Sequence, residues 1–199
     1  MQRVAILSSA SGSGKTTFGR LLADALAVPF FELDAINHQA GWQELDAAEL
    51  RGRVEPLVAM DAWVIDGSYR SKLGDLVLER ADTIVWLDLP RRVWLPRLVR
   101  RTILRVARRE ELWNGNRETI RNVLFSQDSL IGFALRNDRS RRQRYPRELA
   151  RFRVARLRSQ RAVDAFLRSA GPRQRVIRAR SSASQAAARN PSQMGVRTT

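Results

Sequence analysis

The stretch that decides the fold lies near the start of the chain and reads Ser8-Ser9-Ala10-Ser11-Gly12-Ser13-Gly14-Lys15-Thr16-Thr17. It follows an apolar run at residues 4–7 and precedes a helical pattern, which is the setting of a phosphate-binding P-loop. The two glycines let the backbone turn tightly and aim its N–H groups at an anion bound at the helix N-terminus. We therefore predict that residues 11–17 bind ATP, with Lys15 as a catalytic charge at the outer phosphates and Thr16 as a ligand of Mg²⁺.

The stretch departs from the usual pattern Gly-x-x-x-x-Gly-Lys-Ser/Thr at its first position, where Ser9 replaces glycine. Serine is tolerated there only if its φ stays in the region open to all residues. The alternative interpretation is a flexible Gly/Ser turn between a strand and a helix. The chain has only two lysines, and one of them falls where the motif needs it, which favours the P-loop.

Five short apolar runs alternate with longer helical patterns along residues 1–169. The runs cover residues 4–7, 29–33, 63–65, 83–87 and, more weakly, 154–157, and the helical patterns cover residues 15–27, 46–60, 69–80, 91–108, 117–136 and 160–168. Continuous apolar runs are typical of strands buried on both faces of a parallel sheet. We predict one α/β domain of the P-loop NTPase type, a three-layer sandwich with a five-stranded parallel sheet and helices on both faces.

Three aspartates, Asp34, Asp66 and Asp88, follow predicted strands. Ligands of open parallel sheets bind beyond the carboxyl ends of the strands, so all three should lie near the P-loop. We predict that Asp34 and Asp66 contact a molecule that accepts a phosphoryl group from ATP. Asp88 is predicted to hold Mg²⁺ with Thr16 through water. A magnesium role for Asp34, and simple helix caps at Asp34 and Asp88, are the alternatives.

Residues 3–168 resemble the P-loop nucleoside-monophosphate-kinase-like proteins, and more closely the adenylate-kinase-related group often called topology-modulation proteins. Besides the P-loop, the resemblance rests on Phe31-Glu32-Leu33-Asp34, Trp63-Val64-Ile65-Asp66-Gly67-Ser68-Tyr69-Arg70, Val85-Trp86-Leu87-Asp88-Leu89-Pro90 and Leu112-Trp113-Asn114-Gly115-Asn116-Arg117-Glu118. It implies transfer of the γ-phosphoryl group of ATP to a small acceptor such as a nucleoside monophosphate. The segment ending at Arg70 resembles one whose arginine binds acceptor phosphate in adenylate kinases, although a surface salt bridge is the alternative. His38 and Trp42 would stack on a base, unless Trp42 is simply buried beneath a loop.

Arginine dominates residues 97–158, which hold 18 arginines and six acidic residues. In the kinases that the chain resembles, this region forms a lid that brings arginines onto the transferring phosphoryl group. We expect a short arginine-rich lid at about residues 106–120. Arg105, Arg109 and Arg117 flank it, and Arg139, Arg141 and Arg142 come from the helix that returns from it. Of these, we assign catalytic roles to Arg105, Arg109, Arg117, Arg139 and Arg142.

The net charge of +16 favours acidic partners, although a strong arginine bias also arises from codon composition. Residues 170–199 contain six arginines and no acid, and we predict a disordered basic tail there. Without those six, 30 basic residues face 20 acidic ones, so the predicted domain is still basic. One alternative function is therefore an ATP-binding, nucleic-acid-associated regulator of the topology-modulation type, and another is a nucleotide-binding protein with little catalysis.

Other classes are excluded by composition. The chain has no cysteine and one histidine, which excludes disulfides, thiolate metal sites and cysteine nucleophiles. It has no apolar run of membrane-spanning length and no signal-peptide pattern, so we expect a cytoplasmic protein without a membrane partner. The sequence leaves open whether it is a monomer or a dimer.

Removing residues 170–199 tests the regulator alternative. We expect the full chain to bind duplex DNA weakly and without sequence preference, with a salt slope of about −0.9 per neutralised phosphate. The truncated chain should lose most of this binding and keep its phosphoryl transfer, because no predicted strand or loop of the site lies beyond residue 169. Retained DNA affinity after truncation, together with DNA-stimulated ATP hydrolysis, would favour the regulator instead.

Overall fold

The computed structural model describes residues 1–108, 111, 113–115 and 130–171. In chain order they form β1 (Arg3–Ser8), α1 (Lys15–Leu26), β2 (Phe30–Glu32), α2 (Leu33–Asn37), α3 (Ala47–Val58), β3 (Trp63–Asp66), α4 (Arg70–Leu73), α5 (Leu76–Arg80), β4 (Thr83–Leu87), α6 (Arg91–Ala107), α7 (Leu130–Glu148), β5 (Val154–Leu157) and α8 (Gln160–Ala170). Two single turns of 3₁₀ helix lie at Ala40–Trp42 and Trp113–Gly115. The predicted lid lies largely outside the described residues, and the predicted tail almost entirely so.

The five strands form one parallel sheet in the order β2-β3-β1-β4-β5. The central strand β1 is bordered by β3 on one side and β4 on the other. Each parallel neighbour requires a crossover, and helices supply it. The predicted α/β sandwich with a five-stranded parallel sheet is confirmed.

Alternate residues of β1 pack into two separate cores, one on each face of the sheet. Val4 and Ile6 belong to the core beneath α1 and α8, while Ala5 and Leu7 belong to the core beneath α2, α3, α5 and α7. All four side chains are essentially inaccessible to solvent. Burial on both faces explains why the sequence of this strand is a continuous apolar run.

Helix α6 lies close against the P-loop. Trp94 and Leu98 of α6 form a small apolar cluster with Ala10 of the loop. Gly12 has a φ of 80°, and a Cβ placed on it would come within 2.8 Å of both the Leu98 Cβ and the Trp94 carbonyl oxygen. Glycine is therefore required here twice over, for its backbone conformation and for the close approach of the helix.

Two predicted helices have different bounds in the structure. The helix expected over residues 69–80 is divided into α4 and α5, because Gly74 (φ 60°, ψ −138°) has a non-helical backbone. The helix expected over residues 117–136 starts in a part of the chain that is not described, and α7 continues well past residue 136 to Glu148. Ala134, Asp138 and Tyr145, which are buried and spaced by one and then two helical turns, mark the face of α7 that packs against the body of the domain.

No helix within the described ranges is both long enough and apolar enough to cross a membrane.

The two glycines of the P-loop make a matched pair for testing the contact with α6. Gly14 also has a positive φ, 82°, but a Cβ there would meet no atom within 4 Å. We expect Gly14→Ala to cost about 1–2 kcal/mol of folding free energy from backbone strain alone. Gly12→Ala should cost roughly 1–3 kcal/mol more, because overpacking against α6 is added. Denaturant unfolding of both variants measures the difference, and equal losses would contradict the close approach.

Candidate active site

The P-loop joins the carboxyl end of β1 to the amino end of α1, at the floor of a large cavity. The predicted ATP-binding residues, Ser11 to Thr17, all line this cavity. The first exposed backbone N–H groups of α1 lie at the same place, since Gly14 is the residue that caps the helix. This arrangement is suited to an anion, because unpaired N–H groups and the helix dipole both favour negative charge.

Ser9, the departure from the usual motif, has an ordinary backbone and a specific role for its hydroxyl. Its φ is not positive, as the sequence required. The buried Ser9 Oγ donates to Asp88 Oδ1 at 3.1 Å and accepts a hydrogen bond from Trp86 Nε1 at 2.9 Å. The serine thus fastens the start of the loop to the end of β4.

Lys15 forms a close ion pair with Asp66 at the end of β3. The distance from Lys15 Nζ to Asp66 Oδ1 is 2.6 Å, and the two side chains are 22% and 1% exposed. Burial opposes the charge of Lys15, but the carboxylates of Asp66 and Asp34 outweigh it and hold the pKa of Lys15 above its usual value. The ammonium is therefore charged throughout the physiological range and available to phosphate oxygens.

Thr16 lies between two carboxylates. Its Oγ1 is 3.0 Å from Glu32 Oε1 and 2.9 Å from Asp66 Oδ2, and a single hydroxyl proton serves one of them at a time. Glu32 and Asp66 are neighbours because β2 pairs with β3 in a register that places them side by side. Sequence analysis did not assign Glu32 to the site, although Glu32 ends β2 two residues before Asp34.

Asp88, predicted to hold Mg²⁺ with Thr16, lies in a different setting. Its carboxylate is 2.6 Å from Arg156 Nη2 and 3.0 Å from Arg142 Nη1, and Arg156 also stacks over the Trp86 ring at 4.0 Å. Among the described residues, none of its contacts is to Thr16. The alternative role of Asp88 as a helix cap is not observed, since no side chain caps α6 at Pro90.

Asp34 lies in the first turn of α2 and lines the cavity. Its Oδ1 accepts a hydrogen bond from the Tyr69 hydroxyl at 2.7 Å. Tyr69 has a left-handed backbone, φ 44°, which is a strained conformation for a bulky residue and is typical of functional sites. Burial, and next the charge of Asp34, raise the pKa of Tyr69, so its hydroxyl stays protonated and keeps donating.

His38 and Trp42 also line the cavity, on the same side as Asp34. Their rings meet edge to face with centroids 5.7 Å apart. Trp42 is 37% exposed, so the alternative of a tryptophan buried beneath a loop is wrong. The side chain of Asn114, in the predicted lid, donates to the His38 carbonyl oxygen.

Arg70 begins α4 and lines the cavity between two carboxylates. Its Nε lies 2.6 Å from Asp75 Oδ1, and its Nη1 lies 2.6 Å from Glu148 Oε2. Burial alone would lower the pKa of Arg70, but the two acids raise it. The salt bridge that the sequence posed as the alternative is therefore present, and Arg70 lines the cavity as well.

The predicted catalytic arginines have different locations. Arg105 lines the cavity, whereas Arg139 and Arg142 do not; Arg109 and Arg117 lie outside the described residues. Arg141, named with them but not assigned, does line the cavity, where its Nη1 donates to the Ser8 carbonyl oxygen at 3.2 Å and its charge reaches Lys15. The sequence does not show how α7 is rotated, so it could not predict that Arg141 lines the cavity while Arg139 and Arg142 do not.

The cavity has a volume of about 1850 Å³ and extends from the P-loop to α2, α4 and α7. Sites for one small molecule usually measure about 300–1,000 Å³. There is thus room for ATP and a second substrate side by side, as a group transfer between them requires.

A family model described as Shikimate kinase matches residues 11–45. This segment runs from the P-loop through Glu32 and Asp34 to the loop before α3. A search of curated proteins found no significant match.

Two solved shikimate kinase structures share the fold. The shikimate kinase from Acinetobacter baumannii in complex with shikimate is 19% identical, with a TM-score of 0.53 over 85% of this chain and 90% of its own. The shikimate kinase from Bacteroides thetaiotaomicron is 17% identical, with a TM-score of 0.51 over 84% of this chain and 95% of its own. A gluconokinase from Sinorhizobium meliloti 1021 is 19% identical, with a TM-score of 0.48 over 85% of this chain and 89% of its own.

The family match over the P-loop, together with the geometry of the loop and the two-substrate cavity, defines the class of protein. It is a P-loop phosphotransferase, an ATP-dependent kinase of a small molecule. The predicted kinase function is confirmed at this level, while the acceptor is left unspecified.

The ion pair of Lys15 and Asp66 changes what removal of the lysine should do. The side chain of Asp66 is 1% exposed, so Lys15 neutralises a buried carboxylate besides lining the cavity. We expect Lys15→Met to abolish turnover and also to cost roughly 3 kcal/mol of unfolding free energy, because it leaves a buried carboxylate without its cation. The double variant Lys15→Met/Asp66→Asn should recover more than half of that loss and stay inactive. Denaturant unfolding and ADP release measure both; a single variant as stable as the wild type would contradict the pairing.

Proposed function

We propose that the protein transfers the γ-phosphoryl group of ATP to an alcohol oxygen of a small acceptor bound beside α2. The observation that carries this proposal is the location of Asp34. Its carboxylate lines the cavity, is oriented by the Tyr69 hydroxyl, and is close enough to Lys15 to raise the pKa of that lysine. A carboxylate so placed is within reach of an alcohol that faces the phosphate end of the cavity.

The phosphates of ATP would occupy the P-loop, with the N–H groups of residues 11–17 and the ammonium of Lys15 as donors. Arg141 and Arg105 reach the same cavity and would add positive charge around the transferring group. Charge stabilisation is the main demand of phosphoryl transfer, because little covalent chemistry falls to the protein.

The residues around Thr16 fit Mg²⁺. Its hydroxyl and the carboxylates of Glu32 and Asp66 are oxygen donors, and Mg²⁺ takes one or two protein oxygens together with water and substrate phosphates. The described part of the chain holds no cluster of three or more acidic or histidine side chains placed to hold a metal ion. When bound, the ion supplies positive charge at the phosphate oxygens. The geometry offers Glu32 and Asp66 for this role more readily than Asp88.

In the transfer step, the acceptor oxygen forms a bond to the γ-phosphorus while the bond from that phosphorus to the β–γ bridging oxygen breaks. ADP leaves, and the alcohol proton passes to the Asp34 carboxylate and then to water. Tyr69 stays protonated and holds Asp34 in place. The wall of the cavity separates the two substrates from solvent on the side of α2 and α4.

The nearer resemblance to topology-modulation proteins stays a prediction, as does the nucleic-acid role of the basic tail. Both depend in part on residues outside the described ranges. A nucleoside monophosphate as the acceptor also stays a prediction.

Asp34→Asn tests the proposed step, because asparagine keeps the shape and the hydrogen bond from Tyr69 but accepts no proton. We expect kcat to fall by about 10²–10⁴-fold while the Kd of a non-hydrolysable ATP analogue changes by less than about twofold. ADP release is measured with a panel of nucleosides, nucleoside monophosphates, sugars and sugar acids.

Asp46→Asn is the matched control for this experiment. Asp46 caps α3 through Glu49, outside the cavity lining, and asparagine is an equally good cap. Unchanged turnover of Asp34→Asn would remove Asp34 from the step. If no member of the panel raises ADP release above that of ATP alone, the transfer itself is wrong.

A further inference from the structure

We propose that the acceptor is an uncharged ring compound that carries an alcohol, because the cations facing it are already neutralised by the protein. This inference rests on the proposed function and narrows its substrate class. It concerns the acceptor wall, which we define as the cavity lining contributed by residues 34–44, 67–75 and 144–148.

The ammonium of Lys72, one of three cations on the acceptor wall, is saturated. It donates to Asn37 Oδ1 at 3.0 Å, to Glu44 Oε2 at 2.7 Å and to the Leu45 carbonyl oxygen at 2.7 Å. An ammonium has three N–H groups, so all its donors are in use. The hydrogen bond from Lys72 lowers the pKa of Glu44 against the opposing effect of burial, and this keeps the pair ionised. A phosphate or carboxylate would have to displace one of these partners.

Arg70 is held in a comparable way. Asp75 and Glu148 each approach its guanidinium to 2.6 Å, from two different nitrogens. Asp75 is in turn 2.6 Å from Arg151, so the carboxylates are themselves fixed. An acceptor phosphate reaching Arg70 would meet these two negative charges first. Breaking such a partly buried pair costs more than a single new ion pair at the same site returns.

The balance of charge on the acceptor wall is negative by one. Four carboxylates face three cations there: Asp34, Glu44, Asp75 and Glu148 against Arg70, Lys72 and Arg144. The last of these cations, Arg144, is 60% exposed and lies 3.7 Å from Glu148, so solvent and that acid share its charge. A dianionic phosphate against this wall would therefore meet a net negative charge, whereas a neutral alcohol would not.

The aromatic side chains of the acceptor wall indicate the shape of the ligand. His38 and Trp42 meet edge to face, and Trp42 presents part of its ring to the cavity. Such rings bind the flat face of a base or the C–H face of a sugar. A nucleoside and a free sugar share the required chemistry, namely an uncharged ring with an alcohol that faces Asp34.

Acceptor pairs in which one member is neutral and the other carries an anionic group test the inference directly. With ATP in excess, kcat/KM is compared for adenosine against adenosine monophosphate, and for glucose against gluconate. We expect the neutral member of at least one pair to exceed its anionic partner by about tenfold or more. The pair that responds distinguishes a nucleoside from a sugar acceptor. A preference for the anion overturns this inference and leaves the kinase standing, whereas no acceptor-dependent ADP from any pair overturns both.

A binding experiment tests the locked cation without turnover. A non-hydrolysable ATP analogue fills the P-loop, and the Kd of adenosine monophosphate is measured by calorimetry. The double variant Asp75→Asn/Glu148→Gln releases Arg70, and we expect its affinity for the monophosphate to rise by about tenfold or more. Adding Arg70→Gln should abolish the gain. Glu55→Gln/Asp61→Asn, on the exposed surface, makes the same change in net charge and should produce no gain.

The same titration of the wild-type protein gives the result that would overturn the inference. If it binds adenosine monophosphate more tightly than adenosine, and Arg70→Gln removes that preference, then Arg70 is an acceptor-phosphate contact and the acceptor is an anion. Should the double variant unfold, the single variant Glu148→Gln frees one side of Arg70 and the expected gain is smaller but of the same sign.

Discussion

The site depends first on one buried carboxylate. Asp66 ends β3 with its side chain 1% exposed, and its two oxygens contact Lys15 and Thr16. It thereby joins the start of α1 to the sheet and fixes the two P-loop side chains that we propose contact phosphate and metal. A carboxylate in so little water needs a cation beside it, which gives the lysine a structural duty as well as a chemical one. Sequence reasoning assigned Asp66 to the acceptor, and in the structure its side chain contacts Lys15 and Thr16 of the P-loop.

A second buried acid plays the same part on the other side of β1. Asp88 receives Ser9, Arg142 and Arg156, and so connects the start of the P-loop with α7 and β5. Arg142 also donates to the Leu89 carbonyl oxygen, and Asp138 of the same helix pairs with Arg91 of α6 at 2.9 Å, so contacts with other elements fix the rotation of α7. With Arg142 turned toward the body of the domain, Arg141 faces the cavity. The ion pairs of Arg142 with the body of the domain therefore determine that its neighbour Arg141 lines the cavity.

Most of the architecture could be predicted from the sequence, and the reasons are local. All five strands were found because each contains a run of mainly apolar residues, the weakest being β5 with Arg156, and the P-loop was found because its spacing is specific. The features that the sequence did not show depend on contacts between residues far apart in the chain. Glu32 meets Thr16 only because β2 lies beside β3, and no local signal shows that order. Arg142 and Arg141 differ by one residue in the sequence, yet helix rotation sends one to Asp88 and the other to the cavity. Asp75 and Glu148, which occupy Arg70, are five and 78 residues away from it.

The composition of the chain has a chemical consequence that follows from where its lysines lie. Both of them, Lys15 and Lys72, line the cavity and are engaged by carboxylates, while the exposed positive charge is carried by arginine. Guanidinium groups do not undergo the acylation that neutralises amines. Acetyl donors therefore cannot neutralise the arginine charge of the folded surface. The two ε-amino groups that they could modify lie in the cavity, where bound substrates would shield them.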